Sequence, residues 1–271
     1  MDTDCSLLIN SCDKFKDAWW PYFALLKKNW PDCPYRCYLN TEKLTCNIDG
    51  VTTLNSSSTS WSGRLLDALN KIDSDFVLIS LEDFFLMDKV KGDEISKIIE
   101  VIKKDKNIAV VYPKLVTGYS LRDSIHPEWI RMDYSSHRKY IINCQFGIWN
   151  KTALKQLIVP GLTPWQLERE YVLSDDNKYK FYCIPKGTKH SYKGDIFPYF
   201  FAIEKGYGIT RSKWLWNNSH LFRKENINVD MKKLGVISYS DYIFSKMKSK
   251  CNNIKRSIKV FFKRFVHKEI N

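Results

Sequence analysis

The sequence predicts an α/β fold with a mixed, mostly parallel β-sheet covered by helices on both faces. Short apolar runs alternate with amphipathic helical segments through the first half of the chain, which is the pattern of strands joined by crossover helices. The run in "SDFVLISLEDFFLM" is almost unbroken, as expected for a strand buried on both faces, yet it ends on two carboxylates, Glu82 and Asp83. A chain of 271 residues is long enough for one large core with an appendage.

The first predicted elements alternate between strand and helix in this way. "SLLIN" predicts a strand that ends in the polar turn Ser11 to Asp13. "DAWWPYFALLKKNW" has apolar residues at helical spacing, and we expect Asp17 to cap this helix and Pro21 to fall in its first turn. "YRCYLN" and "GVTTL" predict a second and a third strand.

The acidic pair follows the next helix and strand. "SWSGRLLDALNKI" predicts an amphipathic helix, and after the buried strand we expect another helix from Asp93 to Lys104 and a strand from Ile108 to Pro113. Ligands of such sheets bind outside the carboxyl ends of the strands. A carboxylate pair at that edge therefore predicts contact with a cation or a ligand hydroxyl. The alternative is a turn in which Asp83 only accepts backbone hydrogen bonds.

Composition narrows the class of protein. The chain is 44% hydrophobic and 14% aromatic, which is typical of a globular protein, and its formal charge of +13 predicts an anionic partner. No apolar stretch reaches the roughly 18 residues that span a bilayer. The first ten residues are acidic and give no sign of a secretory signal, so we expect a cytoplasmic protein. The eight cysteines form no CxxC pair, and we expect reduced, mostly buried thiols.

Four stretches in this order suggest a family: "NSCDKFKDAWWPYFALLKKNWPDCPYRCYLN", "SWSGRLLDALNKIDSDFVLISLEDFFL", "QFGIWNKTAL" and "TPWQLE". Together they resemble bacterial glycosyltransferases encoded in capsule and O-antigen (surface polysaccharide) gene clusters. The resemblance covers about residues 7–209 and implies the GT-A fold, a Rossmann-like sheet. It implies a donor half at about residues 1–115 and an acceptor half at about residues 116–241.

The resemblance gives the acidic pair a role. The family carries Asp-Asp or Asp-x-Asp at the end of this strand, where it holds a divalent ion on the donor diphosphate or holds the donor sugar itself. This chain has Glu82-Asp83-Phe84, so one carboxylate of a full Asp-x-Asp is missing. Asp83 is the expected contact and candidate metal ligand, with Glu82 beside it. Mn²⁺ or Mg²⁺ is the implied cofactor, and metal-independent chemistry stays open.

Other donor-binding residues are implied on the preceding elements. Trp61, Ser62 and Arg64 match the family segment that meets the nucleotide, and Arg64 at a helix start would place a guanidinium near the diphosphate. The alternative is that Trp61 packs at the helix entry and Arg64 is a solvated cation. Asp13 matches the position that cradles uracil and ribose, and Cys12 is expected to line the same pocket.

The acceptor side is predicted further along the chain. Thr163, Pro164 and Gln166 are the cap, first helical position and capping-box partner of a helix. In the resembling family a Pro-Trp-x-x-Glu segment presents a carboxylate to the acceptor hydroxyl, which implies Glu168 as general base and Trp165 as a substrate contact. The alternatives are that Glu168 only stabilises the helix dipole, or that Glu170 or Asp175 is the base.

The segment "INCQFGIWN" predicts a strand that leads into a helix capped by Asn150. Gln145 and Trp149 match family positions near the acceptor face, although we expect Trp149 to be a core residue. Four histidines have no partner pattern and are expected to be ordinary surface or core residues: His126, His137, His190 and His220.

The chain ends in a segment of different composition. From Ser245 onward it has nine Lys or Arg against one acid, with apolar residues at helical spacing. This pattern predicts that residues 242–271 (the basic tail) form an amphipathic helix on an anionic membrane. The alternative is a helix docked on the domain with a solvated basic face.

The leading hypothesis is therefore an inverting hexosyltransferase at the inner face of the plasma membrane. It would move a sugar from a nucleotide sugar, expected to be a UDP sugar, to a polyprenyl-diphosphate-linked or other lipid-linked glycan. Two alternatives stay open: a basic nucleic-acid-binding protein and a catalytically inactive scaffold related to glycosyltransferases.

Overall fold

The structure, a computed structural model, describes residues 2–114, 116, 121–122, 129–132, 140–170, 172–174, 176–184, 192–200 and 205–248. The strands of its larger sheet are β1 (Asp2–Asn10), β2 (Tyr35–Thr41), β3 (Val51–Asn55), β4 (Phe76–Leu81), β5 (Ile108–Tyr112), β6 (Leu121–Arg122), β7 (Ile130–Met132), β8 (Gly147–Asn150) and β9 (Lys180–Cys183). The α-helices that accompany it are α1 (Trp19–Asn29), α2 (Trp61–Lys71), α3 (Gly92–Lys104), α4 (Lys151–Leu157) and α5 (Pro164–Arg169).

The nine strands form one sheet in the order β3-β2-β1-β4-β8-β5-β9-β7-β6. Strands β3, β2, β1 and β4 pair in parallel, and β5 pairs in parallel with β9. Strands β8 and β7 run antiparallel to their neighbours. The predicted fold class, a mixed and mostly parallel sheet, is confirmed. Strands from both predicted halves of the chain belong to this single sheet.

Helices cover both faces of the sheet, as predicted. Alternate residues of the central strands point to opposite faces. Leu7 and Leu78 belong to a core with residues of α1 and α3, whereas Leu8 and Val77 belong to a second core with residues of α2 and α4. A strand with apolar residues on both faces therefore reads as the unbroken run seen in the sequence.

Local capping signals were predicted with mixed success. The capping box at Thr163 and Gln166 is confirmed, and the Asn150 side chain accepts a hydrogen bond from the Ala153 amide at 3.1 Å. The predicted cap at Asp17 is wrong. A 3₁₀ helix at Asp13–Ala18 precedes α1, which starts at Trp19 without a side-chain cap. The indole of Trp19 donates to the Ser11 hydroxyl at 2.9 Å, which ties the helix start to the strand end.

Several element ends differ from prediction. Strand β1 starts at Asp2, four residues before the predicted start. The strand predicted from residue 142 starts only at Gly147. The residues before it form a turn around the Tyr112 hydroxyl instead. This hydroxyl donates to the Ile141 carbonyl and accepts from the Asn143 amide, both at 3.0 Å. Trp149 is a core residue, as expected, and packs edge-to-face on Tyr112 with ring centroids 5.8 Å apart.

A smaller sheet follows in the chain. It consists of β10 (Ile209–Thr210), β11 (Lys213–Leu215) and β12 (Val236–Ile237), in that order, with α6 (Asn218–Lys224) between β11 and β12. A helix covers residues 239–248, which include the start of the basic tail, and residues 249–271 lie outside the described part of the chain. In the part of the chain that the structure describes, no helix is both long and apolar enough to cross a membrane.

The seven described cysteines form no disulfide with one another. Cys5 and Cys183 are buried and the other five are partly exposed. The predicted reduced state is consistent with this, but fewer of the thiols are buried than the sequence suggested. Of the four histidines singled out above, His220 lies on α6, and the other three, His126, His137 and His190, lie outside the described residues.

Candidate active site

Polar side chains gather where the parallel strands β1, β2 and β4 end. Residues Asn10, Asn40 and Leu81 are aligned across these three strands by their register. The segments that follow them therefore lie side by side at the carboxyl edge of the sheet. Cys12, Glu42 and Glu82 lie on these segments. This edge is the place at which α/β sheets bind ligands.

The two carboxylates after β4 are held in a low-polarity environment. Glu82 is only 7% exposed. Burial and the neighbouring Asp83 charge raise the pKa of Glu82 to about 8, although the Ser11 hydroxyl partly offsets this. Burial also raises the pKa of Asp83 to about 6, against a hydrogen bond from the Ile209 amide. Keeping both residues ionised costs free energy in this environment, so a bound cation or ligand donor would stabilise them.

Asp13 holds the loop after β2. Its carboxylate accepts hydrogen bonds from the backbone amides of Glu42, Lys43 and Leu44 at 3.1–3.3 Å. In return, the Asp13 amide donates to the Glu42 carboxylate at 2.8 Å. The residue predicted to cradle uracil and ribose thus has a clear structural role, and its ligand contact stays a prediction.

Glu42 contacts two of the predicted donor-binding residues, and no sequence motif pointed to it. Its Oε1 lies 3.5 Å from Nη2 of Arg64. Arg64 is only 8% exposed, and its Nε has no hydrogen-bond partner in the described part of the chain. The alternative of a solvated surface cation is therefore wrong. Glu42 thus contacts both Asp13 and Arg64, and its charge also acts on Cys12.

The Cys12 thiol is neutral in this environment. Burial, followed by the charges of Glu82 and Glu42, raises its pKa to about 11. A neutral thiol is a weak nucleophile. Cys12 therefore fits the passive lining role that was predicted for it.

Ser62 joins the start of α2 to the segment before α5. Its amide donates to the Leu162 carbonyl at 3.2 Å, and its hydroxyl accepts from the Leu162 amide at 2.9 Å. The capping hydroxyl of Ser60 accepts from the amides of both Gly63 and Gly161. The predicted donor-side and acceptor-side helices thus begin next to each other, and the hydrogen bonds of Ser62 hold the two helix starts together at this joint.

Glu168 faces the segment that enters β8. Its Oε1 accepts a hydrogen bond from the Cys144 amide at 2.9 Å, and its backbone carbonyl accepts from the Tyr140 amide at 2.6 Å. Burial raises the pKa of this carboxyl above its ordinary value, although the hydrogen bond from Cys144 opposes the shift. A partly desolvated carboxylate with a fixed orientation is suited to proton abstraction.

The remaining acceptor-side residues differ in their surroundings. Gln145 is 3% exposed, and neither amide atom of its side chain has a partner among the described residues. Trp165 is 63% exposed, and its contact with a substrate stays a prediction. Trp61 is half-buried and lines a small cavity of about 20 Å³, which Leu81, Cys144 and Leu167 also line. Leu81 precedes the acidic pair, whereas Cys144 and Leu167 adjoin Glu168. The cavity therefore lies between the acidic strand end and the segment that bears Glu168.

A larger cavity opens at the opposite, amino edge of the sheet. It measures about 600 Å³ and is lined by residues such as Phe76, Asn107 and Asn150. None of the predicted site residues lines it. Because the carboxyl groups with raised pKa and the strand ends coincide at the other edge, we place the candidate site there.

The residues present can supply only part of a metal shell. No group of three or more His, Cys, Asp or Glu side chains in the described ranges could hold an ion. Glu82 and Asp83 would supply two carboxylates at most. Mg²⁺ and Mn²⁺ are often bound in this way when substrate phosphates complete the shell.

Comparisons with known proteins give weak likenesses. No protein-family model and no curated protein sequence matches the chain. Among solved structures, a cytidylyltransferase from Leptospira borgpetersenii is 13% identical with a TM-score of 0.44 over 82% of this chain and 95% of that one. TarS from S. aureus is 13% identical with a TM-score of 0.44, over 68% of this chain and 35% of that one.

A third neighbour is the bifunctional IspDF from Campylobacter jejuni, 16% identical with a TM-score of 0.37 over 69% of this chain. The chain spans about half of that protein, 50% of its length. Values this low establish neither a family nor an activity.

Proposed function

We propose that this protein is a glycosyltransferase that moves a sugar from a nucleotide sugar to an acceptor hydroxyl. One observation carries the proposal. The joint at Ser62 places the start of α2, which bears Arg64, beside the start of α5, which bears Glu168. A cation for a diphosphate and a carboxylate for a proton thus lie on adjoining segments, with the acidic strand end between them.

The donor would bind at the ends of β1, β2 and β4. Arg64, at the amino end of α2, would meet the diphosphate through its guanidinium, a strong partner of phosphate oxygens. Its current partner Glu42 lies at 3.5 Å, a long ion pair that phosphate could replace. Asp83 and Glu82 fit a divalent ion as two carboxylate ligands, because a cation would offset the cost of burying their charges, which raises both pKa values, and the repulsion from Asp83 that adds to the shift at Glu82. Such an ion, when bound, would neutralise charge on the leaving diphosphate.

The acceptor would approach from the Glu168 side. As the acceptor oxygen attacks the anomeric carbon, its proton passes to the Glu168 carboxylate and the bond to the nucleoside diphosphate breaks. A single displacement of this kind inverts the anomeric configuration. The hydrogen bond from the Cys144 amide leaves one carboxylate oxygen oriented by the backbone, so the other can face the hydroxyl.

The finer assignments also belong to this proposal. We infer a UDP sugar as donor, a hexose as the transferred group and a lipid-linked glycan in surface polysaccharide assembly as acceptor. Binding to the inner membrane face rests on the basic tail and on exposed apolar residues of the 239–248 helix, Phe244 and Met247. An inactive scaffold would keep donor binding but lack transfer.

Calorimetric titration with a panel of nucleotide sugars, with and without Mn²⁺, tests the proposal directly. We expect one UDP sugar to bind with a Kd in the micromolar range, about the affinity at which many enzymes bind substrate. The complex should then transfer or slowly hydrolyse the sugar. Tight binding of single-stranded nucleic acid, with no response to any nucleotide sugar, would instead favour the nucleic-acid-binding alternative.

The first prediction concerns Arg64. Arg64→Ala should weaken UDP binding by about ten-fold or more, as expected for the loss of charge-assisted hydrogen bonds. Uridine binding should change little, because the guanidinium is assigned to phosphate. Calorimetry with both ligands measures the difference.

Glu42→Gln is the matched control for Arg64. It removes the negative charge opposite the guanidinium but can still accept the hydrogen bond from the Asp13 amide. UDP binding should stay equal or become tighter in this variant. Equal weakening of UDP and uridine by Arg64→Ala would remove the phosphate assignment.

The second prediction concerns the basic tail. Truncation after Lys248 keeps the aromatic contacts of Tyr239 and Tyr242 with Trp216 but removes most of the tail. The truncated protein should no longer float with anionic liposomes, and high salt should partly release the full chain because salt screens surface charge. Donor binding should be unchanged. Flotation that survives truncation would show that residues 249–271 are not the anchor.

A further inference from the structure

The Asp83 carboxylate is held by a segment far away in the sequence. Its Oδ2 accepts a hydrogen bond at 2.8 Å from the amide of Ile209, which is 126 residues further along the chain. Ile209 is the first residue of β10 in the smaller sheet. A backbone amide of the smaller sheet thus holds the carboxylate that follows β4 of the larger sheet.

Gly208 allows this close approach. Its φ of +88° lies in the left-handed region that favours glycine. A Cβ atom here would lie 3.0 Å from Oδ2 of Asp83 and 3.4 Å from its backbone oxygen. Any other residue would push against the carboxylate that the next amide binds.

Asn218 fixes the Gly208 backbone from the other side. Its side-chain oxygen accepts from the Gly208 amide at 3.1 Å, and its side-chain nitrogen donates to the Gly208 carbonyl at 2.6 Å. Asn218 is fully buried at the first position of α6. Since both ends of its amide contact one residue, its side chain serves to hold Gly208 in place.

We propose that Asn218 is a positioning residue that acts through Gly208 and Ile209 to fix the Asp83 carboxylate for the donor. The proposal rests on the function proposed above, in which Asp83 contacts the donor. Without Asn218, the Gly208 carbonyl keeps one backbone partner, the Leu215 amide at 3.1 Å, but the Gly208 amide loses its partner. The Gly208–Ile209 peptide is then free to move away from Asp83 while the sheet remains paired.

Asn218→Ala is tested against Asn217→Ala. Asn217 is its neighbour and makes the same kind of bond, from its side chain to the Lys205 carbonyl at 2.6 Å, but does not contact Gly208. Asn218→Ala should raise the donor KM about five- to ten-fold, the effect of about one lost hydrogen bond, with acceptor KM unchanged. Asn217→Ala should change neither. A purely structural role would lower kcat through a smaller active fraction and leave the donor KM as it was.

The contacts from Asn218 through Gly208 and Ile209 to Asp83 are called the relay below. Amide hydrogen exchange at Ile209, followed by NMR, tests this relay without any substrate. The amide should be protected in the wild type and in Asp83→Asn, which keeps an acceptor. Exchange should be faster by about ten-fold or more in Asp83→Ala and in Asn218→Ala, since exchange follows local opening. Should Asn218→Ala fail to fold, Gly208→Ala provides the second perturbation of the same contact.

The two experiments separate the relay from the function. Protection that depends on Asp83 and Asn218, in a protein that binds no nucleotide sugar, would support the relay and reject the proposed function. A donor KM and an Ile209 exchange rate that are both unchanged in Asn218→Ala, in a protein that transfers sugar, would overturn the relay alone. Equal Ile209 exchange in the wild type and Asp83→Ala would also overturn it.

Discussion

Glu168→Gln should lower the rate of sugar transfer by about 10² to 10⁴, the usual contribution of a general base. The amide oxygen of glutamine can still accept the hydrogen bond from the Cys144 amide, and the substitution leaves the capping box of α5 intact. Folding and donor affinity should therefore survive. Initial rates with a fixed acceptor, together with calorimetry of the donor, measure both quantities.

The pH profile adds a second test of Glu168. Burial raises the pKa of its carboxyl, and only the ionised form can accept a proton from the acceptor. The wild-type rate should therefore fall as the pH falls through this raised pKa, and the small residual rate of Glu168→Gln should lack that limb. NMR of the wild-type product should show the anomeric configuration opposite to that of the donor.

Glu170 offers a matched control for Glu168. It lies two residues further on, at the exposed end of α5, so Glu170→Gln should transfer at the wild-type rate. If Glu170→Gln is inactive and Glu168→Gln is active, Glu170 is the base. Asp175, the other candidate base, lies outside the described residues. A product of retained configuration would reject single displacement for any of these carboxylates.

Local signals explain which parts of the fold could be predicted. The capping box at Thr163 and the cap at Asn150 depend on residues three positions apart, so the sequence contains all of the necessary information. The buried strand β4 was equally clear from its apolar run. Asp17 failed as a cap because the bond between Trp19 and Ser11 fixes where α1 begins, and that contact depends on the packing of the strand end.

The candidate site could be predicted only in part. Its place at the carboxyl edge follows from the general rule for parallel sheets, and Cys12, Asp13 and Arg64 lie there together. The role of Glu42 depends on the parallel pairing of β1 with β2, which brings two loops side by side. The contact of Asp83 with Ile209 joins two sheets across 126 residues. No motif or periodicity in a single sequence encodes such contacts.

Asp83 has two roles in this structure, and a pair of substitutions can separate them. Asp83→Asn keeps an acceptor for the Ile209 amide but removes the negative charge. Asp83→Ala removes both, and loss of the hydrogen bond to the half-buried Ile209 amide should cost about 1 kcal/mol of unfolding free energy. Both variants should lose transfer by at least about 10², because neither has a carboxylate to stabilise charge at the donor.

The effect of Asp83→Asn on the free energy of unfolding can be predicted from the raised pKa of Asp83. Burial raises the pKa of Asp83 to about 6 from an ordinary value of 3.8, so wild-type stability decreases as the pH rises between these values. Asp83→Asn lacks this cost and should be at least as stable as the wild type at neutral pH, while Asp83→Ala should be less stable. Chemical denaturation at neutral and acidic pH measures this order. An Asn variant that transfers sugar at the wild-type rate would show that Asp83 only ties the two sheets together, and Glu82 would become the candidate for the donor contact.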